Sequence, residues 1–493
     1  MARALMVQGS ASFVGKSWLA AGLCRLLRQD GWRVAPFKAQ NMSNNAAALP
    51  GGGEIGRAQA LQAQACGLLP AADMNPVLLK PTGEAGSQVI LNGRPAGLFA
   101  AAAYYRDVRA QAWLAVEAAY GRLAAEHDVV VIEGAGSPVE MNLKDRDIAN
   151  MAVAELADAA VILVADIDRG GVFAAIIGTL DLLPPHERAR VKGIVVNRFR
   201  GDPALFTDGV RFLEDRTGVP VLGVLPYLDL RLPEEDGVAV ESAQPRHGDG
   251  AEIEVAVVAV PRIANFTDFD ALARTPGVGV RFVREPSDLG QPDAVVLPGS
   301  KNTLADLAWL RQRHWDAALG RVQAIIGLCG GYQMLGTRID DPLGVDGGRP
   351  ASAPGLGLLD VATVFAPQKR AQPAEAVERT TGERLHGYEI HAGDTRLGPG
   401  AVAWLDGVGS AADPGGRVSG SYLHGLFDND GFRLRWVNRL RARRGLPPLA
   451  DAGPGPSAVD AALDALAAAL RRHLDVGAVY RLLEEGGATH RTP

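Results

Sequence analysis

In the second half of the chain, an apolar run passes into a segment that can form a helix: Ala324-Ile325-Ile326-Gly327-Leu328-Cys329-Gly330-Gly331-Tyr332-Gln333-Met334-Leu335-Gly336. The Gly-x-Cys-x-Gly at its centre has the layout of a nucleophile elbow, a sharp strand-to-helix turn that exposes one reactive side chain. A helix N-terminus there stabilises negative charge, and its backbone N–H groups can hold an oxyanion. The stretch therefore predicts an α/β domain with Cys329 as a nucleophile, although a lone cysteine is more often simply buried.

The composition bounds the kind of protein. The 493 residues are enough for two or three domains. A hydrophobic content of 47% and a charged content of 22% are ordinary for a globular protein, and a net charge of -6 argues against nucleic acid as a partner. Three scattered cysteines argue against a disulfide framework. With neither a leader-like start nor an apolar run of about 18 residues, we expect a cytoplasmic protein without a membrane span.

The N-terminus has the parts of a phosphate-binding loop. The apolar residues 5–7 lead into a glycine-rich loop that ends in Gly15-Lys16-Ser17, and a helical pattern follows. In such a loop, backbone N–H groups cradle phosphates, Lys16 reaches the terminal ones, and the Ser17 hydroxyl can bind Mg²⁺. Five residues, instead of the common four, separate Gly9 from Gly15. The pattern predicts ATP binding by Gly9, Gly15, Lys16 and Ser17.

Three further apolar runs of the first half end in polar residues, namely Glu133, Asp166 and Asn197. Continuous apolar strands separated by helix-length segments predict a doubly wound parallel sheet whose carboxyl edge faces the ligand. Glu133 is placed as a second Mg²⁺ ligand, because a hard cation prefers carboxylate oxygen beside phosphate. The alternative for Glu133 is a solvated carboxylate at a strand end. We assign Asn197 to ATP binding.

A polar insertion with many amide side chains lies between the P-loop and the apolar run that ends in Glu133. Amide groups suit the recognition of carboxylates and amides on a large polar ligand, although a solvated helix explains Gln59, Gln62 and Gln64 nearly as well. Two more carboxylates follow the Glu133 loop. The residues that we assign to this ligand are Lys38, Gln40, Asn41, Ser43, Asn44, Asp145 and Asp147.

The chain divides where its pattern changes. A polar segment rich in proline, glycine and charge predicts a linker at residues 236–251 between a P-loop domain at 1–235 and a second α/β domain at 252–445. Residues 446–493 are expected to form a helical tail, with a helix from 458 to about 470. The Cys329 nucleophile needs a base. Periodicity leaves His386, His391 and His424 open for that role.

These motifs, in this order and over nearly the whole chain, resemble the cobyric acid synthase family, glutamine-hydrolysing enzymes of cobalamin biosynthesis within the cobyric/cobyrinic acid amidotransferases. The first half is similar to the P-loop fold of dethiobiotin synthetases, which have the same five-residue spacer. The second half is similar to class I glutamine amidotransferase domains. The resemblance rests on residues 9–17, 37–45, 74–81, 133–138, 145–151, 166–173, 261–270, 297–303, 329–333, 387–391 and 422–427.

The resemblance implies roles for the residues of the second half. Cys329 would be the nucleophile and His424 its base. Class I relatives usually have Glu two residues after this histidine, but Leu426 stands there, which leaves Asp428 as the nearby acidic candidate. The implied oxyanion donors are Gly299, Ser300 and Gly330.

The resemblance also implies the reaction. The thiol would release ammonia from glutamine through a thioester, while MgATP phosphorylates a corrinoid carboxylate and ammonia displaces the phosphate. The family's substrate is adenosylcobyrinic acid a,c-diamide, amidated at its b, d, e and g carboxylates; the corrinoid is a substrate, so the protein need not bind cobalt.

Two alternatives stay open. Cobyrinic (or hydrogenobyrinic) acid a,c-diamide synthases have the same two domains but look different from this chain at residues 38–45. A ParA/MinD-like ATPase switch would use the P-loop to drive partner binding, but it leaves Cys329 and His424 unexplained.

Overall fold

The computed structural model describes residues 2–83, 86–230, 232, 251–455 and 457–486. It contains two six-stranded sheets, one in each half of the chain, with helices packed against them. This confirms the predicted α/β fold with two sheet domains. Most of the predicted linker, residues 236–250, lies outside the described residues. Within the described part of the chain, no helix is long and apolar enough to cross a membrane.

The first sheet is parallel throughout, as the continuous apolar runs predict. Buried apolar side chains form separate clusters on its two faces. Strand Arg3–Gly9 lies at the centre, and Val7 is in register with Glu133 of the neighbouring strand. The P-loop therefore leaves the sheet directly beside Glu133. The strands, in their order across the sheet, are Val221–Pro226, Val191–Phe199, Ala160–Asp166, Arg3–Gly9, Val129–Glu133 and Val34–Phe37.

Helices connect these strands and cover both faces of the sheet. They are Lys16–Gln29, Arg57–Cys66, Arg109–Glu126, Met151–Leu156, Val172–Leu182, Pro185–Arg188 and Thr207–Thr217.

The polar insertion of the first half forms a small sheet and a short hairpin that dock onto the second half. Ala46 N–H donates to Asn265 Oδ1 at 3.0 Å, and Gly53 N–H donates to the Ala371 carbonyl at 2.7 Å. A small apolar cluster joins Ala46, Leu78 and Ile90 of the insertion to Tyr388 and Ile390. The strands of the insertion are Gln40–Met42, Val77–Pro81, Gly86–Leu91 and Arg94–Ala100 in the sheet, with Ala46–Ala48 and Glu54–Gly56 in the hairpin.

The second sheet has five parallel strands and one antiparallel edge strand. Ile325–Leu328 lies inside it, so the residue that follows, Cys329, emerges at the carboxyl edge. The strands in order are Val278–Val283, Ile253–Val258, Ala294–Leu297, Ile325–Leu328, Val418–Ser421 and Ser410–Ala412. The main helices are Thr303–Gln312, Trp315–Leu319, Gly330–Leu335 and Asp430–Arg443, and a long antiparallel pair, Val361–Glu378 and Arg384–Leu397, flanks the sheet.

The two C-terminal helices, Ser457–His473 and Val476–Gly486, return to the first half and complete its core. A Cβ added at Gly22 would lie 2.6 Å from Leu470 Cδ1, so the first helix packs closely against its partner. Arg25 Nε donates to Asp464 Oδ1 at 2.7 Å across the same interface. The helix predicted at 458–470 is therefore confirmed, and its partner is the P-loop domain.

Candidate active sites

Cys329 occupies a strained turn between strand Ile325–Leu328 and helix Gly330–Leu335. Its backbone has φ 50 and ψ -110, which is rare for a residue with a side chain. The two glycines that follow are needed for space, because a Cβ at Gly331 would lie 2.0 Å from the Leu297 carbonyl oxygen. A Cβ at Gly330 would lie 2.8 Å from Ser300 N. The local geometry is that of the predicted nucleophile elbow.

The histidine that faces this elbow is held by a carboxylate that no local pattern in the sequence indicates. His424 Nδ1 lies 2.7 Å from Asp268 Oδ2, and both side chains are almost fully buried. The other carboxylate oxygen accepts the Gly425 N–H at 3.0 Å. Asp268 therefore takes the orienting role in a Cys–His–Asp arrangement, as in other triads.

The expectation that Asp428 is the acidic candidate beside His424 is wrong. Burial raises the pKa of Asp428 to about 6, with Arg57 opposing it. Leu426, at the position of the usual glutamate, lies in the apolar core. The carboxylate is instead that of Asp268, in the short helical turn Phe266–Phe269. Asp268 precedes His424 by 156 residues in the chain.

The ring of His424 is in contact with two other side chains, those of Tyr388 and Asn265. The Tyr388 ring stacks on it with centroids 5.1 Å apart and an angle of 17°. Asn265 Nδ2 lies 3.2 Å from Nε2 and 3.5 Å from Nδ1, and these near-equal distances place the amide over the ring face. Ala46 of the first half holds the Asn265 amide, and Arg57 lies 5.6 Å from the Tyr388 ring centroid. Both halves of the chain thus position the base.

The electrostatics favour a charged imidazole. Burial opposes the charge, but the Asp268 carboxylate and its hydrogen bond outweigh it and raise the pKa of His424 to about 10, with Cys329 contributing in the same direction. An imidazolium can stabilise a thiolate and can donate its proton to a leaving amine.

The other two candidate histidines have different environments. His386 is exposed over 68% of its side chain. His391 is buried, stacks on Tyr422 with centroids 3.6 Å apart, and its Nδ1 lies 2.9 Å from the Gly393 carbonyl. Of the three histidines, His424 is the one with a carboxylate partner at 2.7 Å and an interaction with Cys329.

The predicted oxyanion donors lie together beside Cys329. Gly299 and Ser300 form a short strand that pairs with Ile263–Ala264, next to Gly330. The Ser300 hydroxyl donates to Asp306 Oδ2 at 2.6 Å, so this side chain has a structural partner. Any oxyanion contact from these residues would therefore come from backbone N–H groups.

We expect Asp268→Asn to lower glutaminase activity by about 10² to 10⁴, the usual worth of general acid–base catalysis. The asparagine NH₂ group can face Nδ1 and favour the wrong tautomer of His424. Glutamate release measures the effect, with ammonia-dependent synthesis as the folding control. Asp428→Asn is the matched variant and should have a much smaller effect; the reverse order of these two losses would restore Asp428 as the orienting residue.

The P-loop of the first half surrounds its lysine with backbone. Gly15 has φ +97, and a Cβ there would lie 2.1 Å from Asn197 Nδ2. Lys16 Nζ donates to the carbonyls of Ala11 and Gly136, each at 2.9 Å. Asn197 Nδ2 donates to the Val14 carbonyl at 2.9 Å. The structure thus brings the predicted nucleotide residues together at one edge of the sheet, with Asn197 of strand Val191–Phe199 bound to the P-loop.

Glu133 is the centre of a buried polar cluster. Its Oε1 accepts from Ser17 Oγ at 2.7 Å and from Lys38 Nζ at 2.8 Å. Its Oε2 accepts from Gln62 Nε2 at 2.5 Å. The residue is 1% exposed, so the alternative of a solvated carboxylate is wrong. A hydroxyl and a carboxylate at this spacing fit a hard cation that takes its other ligands from phosphate and water.

The glutamines of helix Arg57–Cys66 are not a solvated face. Gln59 and Gln62 are fully buried, and Gln59 Oε1 accepts from Asn41 Nδ2 at 2.8 Å. Gln64 Nε2 donates to Asp460 of the C-terminal helices at 3.2 Å. Gln62 binds Glu133 and Gln59 binds Asn41, so these two amides hold residues of the site in place. The helical periodicity of the sequence does not reveal this role.

A cavity of about 2240 Å³ opens between the P-loop and the second half. The predicted ligand residues on its wall are Lys38, Gln40, Asn41, Ser43, Asn44 and Asp147. Asp145 is exposed outside this wall. Asp147 Oδ1 accepts the N–H groups of Ala149 and Asn150 at 2.8 and 3.2 Å, which gives it a structural role in its loop.

Comparisons with known proteins agree with this two-site organisation. Residues 5–237 match the CobQ/CobB/MinD/ParA nucleotide binding domain, and residues 254–432 match the CobB/CobQ-like glutamine amidotransferase domain. The chain is 50% identical to a cobyric acid synthase of Pelotomaculum thermopropionicum, over 98% of this chain and 97% of that one. It is 48% identical to the cobyric acid synthases of Moorella thermoacetica, over 98% of both chains, and Citrobacter koseri, over 100% of both.

Proposed function

The chain belongs to the cobyric acid synthase family, glutamine amidotransferase ligases, and on that premise we propose that it amidates the b, d, e and g carboxylates of adenosylcobyrinic acid a,c-diamide with ATP and glutamine. The observation that carries this proposal is the presence in one chain of a buried Cys329–His424–Asp268 constellation and a P-loop beside Glu133. The first suits amide hydrolysis and the second suits phosphoryl transfer.

In the second half, the Cys329 thiolate attacks the side-chain amide carbon of glutamine. Gly299, Ser300 and Gly330 stabilise the tetrahedral oxyanion, and the His424 imidazolium gives its proton to the departing ammonia. Water then attacks the thioester, and His424 takes the proton of that water. Glutamate leaves and the thiolate is restored. Asp268 keeps Nδ1 protonated throughout, so that Nε2 faces the reaction.

In the first half, ATP binds with its phosphates in the loop between Gly9 and Lys16. The Lys16 ammonium exchanges its two carbonyl partners for phosphate oxygens. Ser17 and Glu133 would hold Mg²⁺, which supplies neutralisation of phosphate charge when bound. A corrinoid carboxylate takes the terminal phosphoryl group, and ammonia from the second half displaces phosphate from the acyl phosphate. Lys38, 2.8 Å from Glu133, adds positive charge at the same place.

The size of the cavity supports a macrocyclic substrate. Drug-sized ligands occupy pockets of about 300–1,000 Å³, whereas this cavity, which also includes Lys16 and Ser17 of the P-loop, measures about 2240 Å³ and has room for ATP and a large substrate together. Gln40, Asn41, Ser43 and Asn44 present amide and hydroxyl groups on one wall, which suit the amide and carboxylate side chains of a corrinoid. Met42, 56% exposed on the same wall, offers apolar surface to the ring system.

Incubation with candidate corrinoids, ATP and glutamine tests the function, with the mass of the product as the readout. Four added amides on the a,c-diamide support the proposal. Amidation of the a and c positions of the unamidated acid would instead identify an a,c-diamide synthase. An ATPase switch would hydrolyse ATP and release no glutamate.

Glu133→Gln should reduce amidation with glutamine or with ammonia and raise the Mg²⁺ concentration needed for half-maximal rate, because the metal loses a charged ligand. Titration of the ammonia-dependent rate with Mg²⁺ measures this effect. Lys38→Met is a useful comparison, since it removes a Glu133 partner without removing an oxygen ligand. An unchanged Mg²⁺ requirement in Glu133→Gln would restrict Glu133 to holding Ser17, Lys38 and Gln62.

A further inference from the structure

A second, smaller cavity of about 110 Å³ reaches Cys329 and His424. Its wall is built by both halves of the chain. Lys80 comes from strand Val77–Pro81 of the insertion, whereas Lys301 and Lys369 come from the second half. Three lysines therefore line a space that is next to the nucleophile.

The carboxylates around this cavity are hydrogen-bonded by groups other than Lys301. Lys80 Nζ lies 2.7 Å from Glu54 Oε2, and Lys369 pairs with the other oxygen of the same carboxylate. Burial alone would raise the pKa of Glu54, but Lys369 and Lys80 lower it to about 2. Asp346, also on the wall, accepts the N–H groups of Thr303 and Leu304 at 3.1 and 2.9 Å. Burial lowers the pKa of Lys369 to about 7, so Lys301 and Lys80 are the ammonium groups that an anion in this cavity would meet.

Lys301 differs from the other two lysines because its ammonium group can still bind a partner. Within the described ranges, its ammonium makes no hydrogen bond and no ion pair below 4.0 Å, whereas Lys80 and Lys369 share Glu54. Burial, and then the charge of Lys80, lower the pKa of Lys301 to about 8. Asp346 and Glu54 act in the opposite direction without removing the shift. An anion entering the cavity would supply the partner that Lys301 lacks.

We propose that Lys301, assisted by Lys80, binds the α-carboxylate of glutamine while Cys329 attacks the amide at the other end. This inference rests on the glutamine-dependent function proposed above. The α-carboxylate is the one anionic group of glutamine, and the Lys301 ammonium, on the cavity wall that also includes the nucleophile, suits it. It also gives a role to residues 74–81 and 297–303, stretches that carry the family resemblance and contain these two lysines. The insertion of the first half then completes the glutamine site of the second.

Lys301→Met tests the proposal in the full-length protein, by glutamate release measured without corrinoid. A hydrogen bond to a charged group is worth about 1.5–3 kcal/mol, so KM for glutamine should rise by roughly 10- to 150-fold with a much smaller change in kcat. Lys301→Arg should recover part of the affinity. Lys192→Met, at an exposed lysine, is the matched control and should leave KM unchanged.

Covalent labelling of Cys329 separates recognition of the carboxylate from a structural role. 6-Diazo-5-oxo-L-norleucine carries the α-carboxylate of glutamine, whereas iodoacetamide is neutral; peptide mass spectrometry reports labelling at Cys329. In Lys301→Met, labelling by the first reagent should slow about as much as KM rises, and labelling by iodoacetamide should keep its rate. Equal slowing with both reagents, or an unchanged KM, would overturn the proposal.

The contribution of Lys80, from the first half, must be tested with a variant that does not leave the buried charge of Glu54 without its Lys80 partner. Removing both members of a buried ion pair costs less than removing one, so Lys80→Met combined with Glu54→Gln is the suitable variant. It should also raise KM for glutamine, and an unchanged KM would exclude Lys80 from the site. Ammonia-dependent amidation of the corrinoid is scored separately. Its absence in the wild-type protein would contradict the proposed function, while the glutamate-release assay still decides the role of Lys301.

Discussion

Cys329→Ala is expected to abolish glutamine-dependent amidation and glutamate release, with ammonia-dependent amidation left near the wild-type rate. The thiolate is the only group of the second half that forms a bond to glutamine in the proposed reaction, and no thioester forms without it. Ammonia supplied from solution bypasses this step, because the first half needs only a nitrogen nucleophile and an activated carboxylate. The measurement is corrinoid product by mass, with glutamine or an ammonium salt as the nitrogen source.

The other two cysteines provide the controls for this variant. Cys24 and Cys66 are buried in the core of the first half, and burial raises the pKa of the Cys24 thiol well above its ordinary value. Cys24→Ala and Cys66→Ala should therefore keep glutamine-dependent activity. Loss of both activities in a folded Cys329→Ala protein would contradict the separation of the two chemistries. A Cys66 variant that behaved like Cys329→Ala would show that the nucleophile is misassigned.

The sequence predicts well what depends on neighbouring residues. A glycine on either side of Leu328-Cys329-Gly330 predicts the elbow, because a Cβ at Gly331 would collide with a backbone carbonyl. The glycine-rich loop before Lys16 predicts the phosphate site in a similar way, because a Cβ at Gly15 would collide with Asn197. Continuous apolar runs predict a sheet buried on both faces, and the two core clusters confirm it.

Contacts between distant segments could not be predicted in this way. Asp268 lies inside a stretch that carries the family resemblance, but only the folded chain brings it 2.7 Å from His424, which is 156 residues away. Closeness to His424 in the chain favours Asp428 instead. The sequence predicts that Lys38 contacts the corrinoid, and the fold pairs Lys38 with Glu133. Nothing in the local pattern of the C-terminal helices reveals that they pack against helix Lys16–Gln29.

Lys16→Ala is expected to remove amidation with either nitrogen source, which distinguishes it from Cys329→Ala. Both routes need the corrinoid carboxylate to be activated by ATP, and Lys16 supplies positive charge where negative charge develops on the phosphates. A cation added to a phosphoryl-transfer site is worth on the order of 10³ or more in rate. Glutamate release measured without corrinoid should survive, because Lys16 belongs to the other half of the protein.

The P-loop lysine also has a structural aspect that the experiment must separate from catalysis. Its ammonium bonds the carbonyls of Ala11 and Gly136 at 2.9 Å, so the alanine variant loses two internal hydrogen bonds worth about 1.5–3 kcal/mol each. A melting curve and the retained glutaminase activity show whether the fold survives. Lys192→Ala, at an exposed strand position, controls for the loss of a positive charge. If ammonia-dependent amidation persisted in a folded Lys16→Ala protein, Lys38 beside Glu133 would be the cation that activates the phosphate, and the division of roles within the first half would have to change.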